Sequence, residues 1–278
     1  MIIDVHTHIF PKAVCDFRGD YFDNEDAFRL LYDSPKSRLI GADSLIESMD
    51  IHGVDRSVAF GFPWKNPEFY KKNNDSVLAS VQKYPGRLIG LCCVDVFSEG
   101  AVAEVERCLD AGLSGVGELA FYESGIETGA LQRLAPIMDL CREKGVPVMI
   151  HTNEPVGHAY PGKTPNTLAQ IYAMAKMFPD NKIILAHWGG GIFFYTLLKK
   201  EVRDVLKNIY FDTAASPFLY SPEIYPAAIR MAGAEKILMG TDFPLLPPDR
   251  YFREIDAAGI SPLERERICG LNAAGLFV

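Results

Sequence analysis

Short apolar runs recur along the chain, and each is followed by a stretch in which apolar residues return every three or four positions. The runs read IIDVH from Ile2, SVAFGF from Ser57, LIGLCCV from Leu88, GVGEL from Gly115, VPVMIH from Val146, KIILAH from Lys182, IYFDT from Ile209 and KILMGTD from Lys236, eight in all. Near-continuous Ile, Val and Leu is the pattern of a parallel strand with both faces covered by helices. Between the runs lie amphipathic segments such as EGAVAEVERCLDAG, LQRLAPIMDLCREKG and TLAQIYAMAKMF, many closed by Gly or Pro. After the first, strand starts fall about thirty residues apart, the length of one strand with one helix. Eight such units in 278 residues predict an α/β chain folded as one (β/α)8 TIM barrel rather than an open sheet. The units share a pattern but not residues. The segment from Pro11 to Gly41, with DFRGDYFDNEDAF, reads as an insertion after the first strand that lays short helices over the barrel mouth.

Composition narrows the function classes. With 48% hydrophobic residues the chain can bury a large core, and no run of eighteen apolar residues predicts a membrane span. MIIDVHTHIF lacks a basic region, an apolar run and a small-residue cleavage site, so a cytoplasmic protein is expected. The six cysteines (Cys15, Cys92, Cys93, Cys108, Cys141 and Cys269) have no C-x-x-C spacing, and several sit in apolar runs where a reduced thiol packs as a small hydrophobe. Disulfides are not expected. A net charge of −8 without a long basic run offers little attraction for nucleic acid or anionic lipid. That leaves a small-molecule substrate. Nothing marks the oligomeric state, with which a homo-oligomer is compatible.

The unusual polar residues gather where strands finish. His6 and His8 end the first run, Glu118 the fourth, His151 the fifth, His187 the sixth and Asp242 the eighth. In this barrel the C-terminal mouth carries the chemistry, because its loops vary while the strands hold side chains rigidly. Residues two apart on a strand share a face, so His6 and His8 form a two-point claw, and Asp4, at the same parity, is expected to face inward as a deeper carboxylate. Adding His151 and Asp242 gives three nitrogens and one oxygen, a set that suits Zn²⁺ and tolerates other divalent ions. A lone histidine is more often just a buried, hydrogen-bonded side chain, and His52 in MDIHGVDRS keeps that reading. Phe10, Trp64, Tyr122 and Trp188 follow strand ends and are candidates for a substrate pocket, with barrel packing as the competing explanation.

DVHTH, GVGE, IHTN, LAHWGG and MGTDFP, in that order over nearly the whole chain, resemble the amidohydrolase-related (amidohydrolase 2) branch of the amidohydrolase superfamily. The resemblance implies a distorted barrel, His6, His8 and His151 as metal ligands, Asp242 as ligand or base, and His187 as ligand of a second metal or proton-transfer residue. Glu118 stands where two-metal members, including TatD-like nucleases, place a bridging carboxylate. With one or two zinc ions, the implied reaction is hydrolysis of a C–N or C–O bond in a small amide, ester or lactone. The ion would lower the pKa of its water from about 15.7 to about 7, Asp242 would take the proton, and His187 would stabilise the oxyanion or relay a proton. The branch also contains single-metal decarboxylases of aromatic or unsaturated acids with the same motifs. They are the alternative, with Glu118 favouring hydrolysis as a bridging carboxylate; its competing reading is an acid that orients a metal ligand or contacts substrate. A third reading, of another class, is a metal-binding scaffold without catalysis.

One stretch points elsewhere. GHAYPGKT, Gly157 to Thr164, satisfies the phosphate-loop pattern G-x-x-x-x-G-K-[ST]. It starts only after TNEPV, whereas a phosphate loop follows its strand almost at once, and Pro161 and Pro165 thin out the backbone N–H groups. It is better read as a loop over the metal, with His158, Tyr160 and Lys163 as candidate lid residues that reach substrate and ordinary solvent-exposed loop positions as the stronger competing reading. Arg38, Lys163 and Arg250 are the candidates for binding a substrate carboxylate.

Overall fold

The computed structural model describes residues 1–277. All eight predicted strands are present: β1 Ile3–His8, β2 Arg56–Phe60, β3 Leu88–Gly90, β4 Val116–Leu119, β5 Val148–Ile150, β6 Ile183–Leu185, β7 Ile209–Asp212 and β8 Ile237–Leu238. They pair in parallel in sequence order, as one sheet of β1 to β3 and another of β4 to β8. The two seams are stitched by single bonds instead of full ladders. Cys92 N donates to Gly115 O and Gly117 N to Cys92 O at 2.9 and 2.8 Å, while Val5 N donates to Met239 O and His8 N to Phe243 O, both at 2.8 Å. The predicted α/β barrel is therefore present but distorted, its closure reduced to isolated bridges at both seams.

Two apolar clusters show which side of each strand faces the axis. Ile3, Val5, Val58, Phe60, Ile89, Met149, Ile184 and Leu238 pack together with Ala273 and Leu276. They fill the lumen, with the C-terminal helix Asn272–Phe277 supplying the last two. Their neighbours Ala59, Leu88, Val148, Ile150, Ile183, Leu185 and Ile237 belong to the other cluster, between strands and helices. That is the alternation a strand imposes.

The alternation breaks at the motif residues. The β1–β2 register shifts between Asp4 and Thr7, and the β4–β5 register between Val116 and Leu119. Each shift adds one residue to one strand, as a bulge does, and re-aims the side chain beside it. Ile3 and Val5 face the lumen, so Asp4 between them points the other way, contrary to the inward placement expected from parity. Asp4 instead accepts from Thr241 Oγ1 at 2.5 Å and Thr241 N at 3.0 Å, and burial raises its pKa to about 7 against those bonds. It holds the segment that carries Asp242. The insertion after β1 forms short helices, Lys12–Asp16, Arg18–Tyr21 and Asp26–Tyr32, with Arg18 Nη1 donating to the carbonyls of Tyr32, Ser34 and Ser37 at 3.2, 3.3 and 2.7 Å.

Candidate metal centre

His6, His8, Glu118, His151, His187 and Asp242 converge at the mouth of the barrel. They make three overlapping triads whose donor atoms lie within 4.8 Å of one another: His6, His8 and Glu118; His6, His187 and Asp242; Glu118, His151 and His187. Strand ends deliver His6, His8, Glu118 and His151, but Asp242 lies four residues past β8. It is brought back by a left-handed backbone turn, φ 60°, and by its N–H donating to His6 O at 2.9 Å. His187 follows β6 in a similar turn, φ 54°.

Tautomers can be assigned from the partners. Nδ1 of His6 faces Asp212 Oδ2 at 2.9 Å, Nδ1 of His8 faces Gly61 O at 3.1 Å, and Nδ1 of His187 faces Ala214 O at 3.0 Å. All three partners only accept, so each Nδ1 carries a proton and each Nε2 is the nitrogen left to face the centre. The Nε2 atoms point at one another and at carboxylates. His6 Nε2 is 3.3 Å from His8 Nε2 and 3.6 Å from Asp242 Oδ1, and His8 Nε2 is 3.3 Å from Asp242 Oδ1. Donors bound at about 2.1 Å to one cation sit roughly 3.0 to 3.4 Å apart, so this is the bite of a common ion.

The electrostatics ask for the same ion. Burial opposes a charge on His6, yet Glu118, Asp212 and Asp242 outweigh it and raise its pKa to about 10. Burial likewise works against ionising Asp242 and Glu118, and the surrounding histidines hold both below the ordinary carboxylate range. Ionised carboxylates crowded into a buried pocket are costly unless a cation joins them, whether a proton on His6 or a metal ion. The donor set therefore fits a divalent metal.

His151 stands apart from the tight group. Its Nδ1 meets Glu118 Oε1 at 3.0 Å and its Nε2 donates to Gly162 O at 2.9 Å. Both partners are acceptors, so Glu118 and Gly162 O hold the ring of His151 between them. Glu118 Oε1 is also 3.6 Å from His187 Nε2, and Oε2 is 3.8 Å from His6 Nε2.

A cavity of about 650 Å³ opens above the centre, lined by His8, Glu118, His151, His187 and Asp242 at its floor and by Tyr32, Phe62, Tyr122 and Phe218 on its walls. The loop Gly157 to Gly162 forms another wall, including His158 and Tyr160. Lys163 in that loop is 2.8 Å from Glu154 Oε1, whose other oxygen accepts from Tyr160 OH at 2.8 Å. Its ammonium is thus committed to the loop itself, which disposes of the phosphate-loop pattern.

Several expected pocket residues are elsewhere. Phe10, Trp64 and Trp188 are 2%, 0% and 0% exposed and do not reach the cavity. Trp64 packs on Phe28 at 4.1 Å between ring centroids and donates to Asn73 Oδ1 at 3.1 Å; Trp188 donates to Ser216 Oγ at 3.0 Å. They turn into the shell, where Phe10 packs on Tyr32 and Trp64 on Phe62 behind the wall, and Trp188 packs on Phe193 and Tyr225. Neither Arg38 nor Arg250 lines the cavity: each lies over a ring, Phe243 at 5.8 Å and Phe218 at 5.0 Å. His52 is bonded to Ser48 O at 2.8 Å in its own helix. Tyr32, Phe62 and Phe218 escaped sequence reading because they come from the insertion and the loops. Asp212 escaped because apolar strands ending in Asp are common, although its place at the end of a lumen-facing strand was the available signal.

Comparison with known proteins corrects the expected reaction. A curated relative, the gamma-resorcylate decarboxylase of Polaromonas sp. (strain JS666 / ATCC BAA-500), is 24% identical over 293 residues, 87% of this chain and 89% of that one. The fold is similar to that of 5-carboxyvanillate decarboxylase from Sphingomonas paucimobilis, with a TM-score of 0.77 at 18% identity over 99% of this chain and 98% of that one. It is also similar to a dihydroxybenzoic acid decarboxylase from Polaromonas sp. JS666 with bound manganese and 2-nitroresorcinol, with a TM-score of 0.72 at 21% identity over 99% and 96%. These relatives break a carbon–carbon bond, which overturns the expectation of amide, ester or lactone hydrolysis drawn from Glu118. Zinc, too, gives way to the coarser statement of a site suited to a divalent metal. Among the described residues no helix is long and apolar enough to cross a membrane. The amidohydrolase family model matches residues 3–277, and the chain belongs to that family.

Proposed function

We propose that the protein is a metal-dependent, non-oxidative decarboxylase of a small aromatic carboxylic acid. The observation that carries this reading is the convergence of His6, His8 and Asp242 on one point at the floor of a cavity walled by aromatic rings. The likeness to decarboxylases supports it. His6, His8 and Asp242 would hold the ion, with Glu118, His151 and His187 completing its surroundings. Three imidazoles with carboxylates accept zinc or manganese. Bound there, a divalent ion supplies the positive charge that draws in and orients an anionic substrate.

The protein's own groups do the rest. Phe62 and Tyr122, stacked with centroids 6.1 Å apart and planes 18° apart, offer flat surface against which a substrate ring can lie. Tyr32 and Tyr122 bring hydroxyls to the same walls, suited to hydrogen bonds with polar ring substituents. Decarboxylation requires that the ring carbon gain one proton while the electrons of the C–C bond stay on the ring and CO2 leaves. Asp242, with 17% of its side chain exposed against 7% for Glu118, is the floor carboxylate most open to the cavity. It is placed to relay that proton to the ring carbon, with His187 as its source.

The test is CO2 release and loss of the acid's ultraviolet absorbance when protein loaded with Mn²⁺ or Zn²⁺ meets a panel of hydroxybenzoates and methoxylated benzoates. Turnover abolished by chelation is the expected result. Bound metal with no CO2 from any aromatic acid would sink the reading and favour a scaffold without catalysis.

A further inference from the structure

Each of the three histidines with an assigned tautomer is oriented by an acceptor on Nδ1, but the acceptors differ in kind. His8 and His187 use backbone carbonyls, Gly61 O and Ala214 O. His6 alone uses a carboxylate, Asp212, at 2.9 Å with both side chains fully buried. The other oxygen of that carboxylate is also engaged: Asp212 Oδ1 accepts from His187 N at 2.9 Å and from Ala214 N at 3.0 Å. One side chain therefore fixes the ring of His6, the backbone that carries His187, and the residue whose carbonyl orients the ring of His187. Space for this arrangement is provided by Gly240, where a Cβ would come within 2.8 Å of His6 Cβ and 3.3 Å of Asp212 Cβ.

We infer that Asp212 is a positioning residue that sets the tautomer of His6 and the placement of His187, and through them the affinity of the centre for a divalent cation. The inference rests on the metal-binding part of the proposed function and not on the reaction. A carboxylate on Nδ1 keeps the proton there, leaves Nε2 free to bind, and makes it a better donor to a metal. The substitution Asp212→Asn separates this from mere packing, because it keeps the shape. Two backbone N–H groups hold the amide oxygen at the Oδ1 position, so the amide NH2 turns to His6 Nδ1. Two donors cannot face each other, so Nδ1 must accept and the ring proton moves to Nε2, where the metal would bind.

Two measurements test this. In Mn²⁺ titration of the whole purified chain, Asp212→Asn is expected to weaken binding by about 10- to 100-fold, and Gly240→Ala to weaken it in the same direction by wedging the pair apart. Binding within twofold of the unaltered protein by Asp212→Asn overturns the inference. Nitrogen-15 histidine spectra of the unaltered protein loaded with Zn²⁺, which is diamagnetic, supply the readout if the variant does not fold. His6 protonated on Nδ1 is expected, and His6 protonated on Nε2 overturns the role of Asp212 whatever the protein's reaction proves to be. If the unaltered protein takes up neither Mn²⁺ nor Zn²⁺, both the metal reading and this one fall. A failure to release CO2 touches only the proposed reaction.

Discussion

The two sides of the centre are built differently. On one side His6, His8 and Asp242 are held by strand backbone and by short bonds to β1, the segment after β8, and β7: Asp242 N to His6 O at 2.9 Å, His8 N to Phe243 O at 2.8 Å and His6 Nδ1 to Asp212 at 2.9 Å. On the other, His151 is tied through Nε2 to Gly162 O, a carbonyl in the irregular stretch between β5 and the helix Leu168–Met177. That stretch is held chiefly by its own side chains, Glu154 with Lys163 and Tyr160, and Asn153 Oδ1 with Thr164 N and Oγ1 at 2.8 and 2.7 Å. A ligand set needs placement within a fraction of an ångström, which strands provide, whereas a cavity that admits and releases substrate needs a wall that can move. The division of labour follows: strands for the ion, loop for the substrate.

The sharpest way to break that division is at the strand side. Asp242→Asn and His8→Ala are each expected to lower turnover by about three orders of magnitude, the scale of losing a proton-transfer group or a ligand. Folding should survive, since both side chains sit at the cavity and not in either apolar cluster. Steady-state rates with metal content measured on the same samples check this. Turnover within tenfold of the unaltered protein for either variant would remove the strand side from the chemistry.

On the loop side the effect should be smaller and should fall on KM. Lys163 and Glu154 are only 16% and 13% exposed, and removing one partner of such a pair leaves a charge with little water to replace it. Lys163→Met should raise KM by roughly tenfold and shift kcat much less, consistent with about 1–2 kcal/mol of loop ordering lost. The double variant Glu154→Gln with Lys163→Met should recover part of that loss. If kcat falls as far as in Asp242→Asn while KM holds, the loop belongs to the chemical machinery and the contrast collapses.

A third test lies outside both regions and serves as their control. Glu104, 3% exposed, accepts from Arg107 Nε and Nη2 at 2.8 Å each and from Asn74 Nδ2 at 3.0 Å. Burial alone would push its pKa up, but the guanidinium and the amide outweigh it and hold the carboxyl below its ordinary value. With the folded pKa below the unfolded one, the stabilisation is present above the unfolded value and fades as pH falls through the folded one. Glu104→Gln should therefore lower Tm by a few degrees at neutral pH, with the gap narrowing in acid, and leave KM unchanged. A gap that widens as pH falls would reverse the sign assigned to Glu104.

How much of this could be read from the residues follows the same division. The eight strands and the six polar residues at their ends were legible because a buried parallel strand writes itself as an apolar run, and a histidine or carboxylate closing such a run stands out. The bulges at His6 and Glu118 were not, since a register shift leaves the pattern of residue types intact while reversing which side faces the axis; the misplacement of Asp4 came from this. Phe10, Trp64 and Trp188 follow strand ends as Tyr122 does, but sequence position does not say whether a ring turns to the cavity or the shell. The reaction was misread for a related reason. Glu118 as a carboxylate among histidines is visible in GVGE, but whether it bridges two ions or pairs with His151 depends on where Gly162 O lies, eleven residues beyond His151 in a loop.

The smallest effect tests the correction of the aromatic residues. Trp64 sits behind the cavity wall, with ring centroids 5.3 Å from Phe62, so it can influence substrate only by holding Phe62 in place. Trp64→Phe removes the bond to Asn73 Oδ1 and leaves a small void, a combination expected to cost about 2 kcal/mol of stability. Because Phe62 is also packed on Phe28 at 5.4 Å and on Tyr122 at 6.1 Å, its ring keeps most of its support, and KM should change less than about threefold. Thermal melts and KM on one preparation make the comparison. A large KM change with unchanged Tm would put the Trp64 ring in the cavity and return it to the substrate-contacting set.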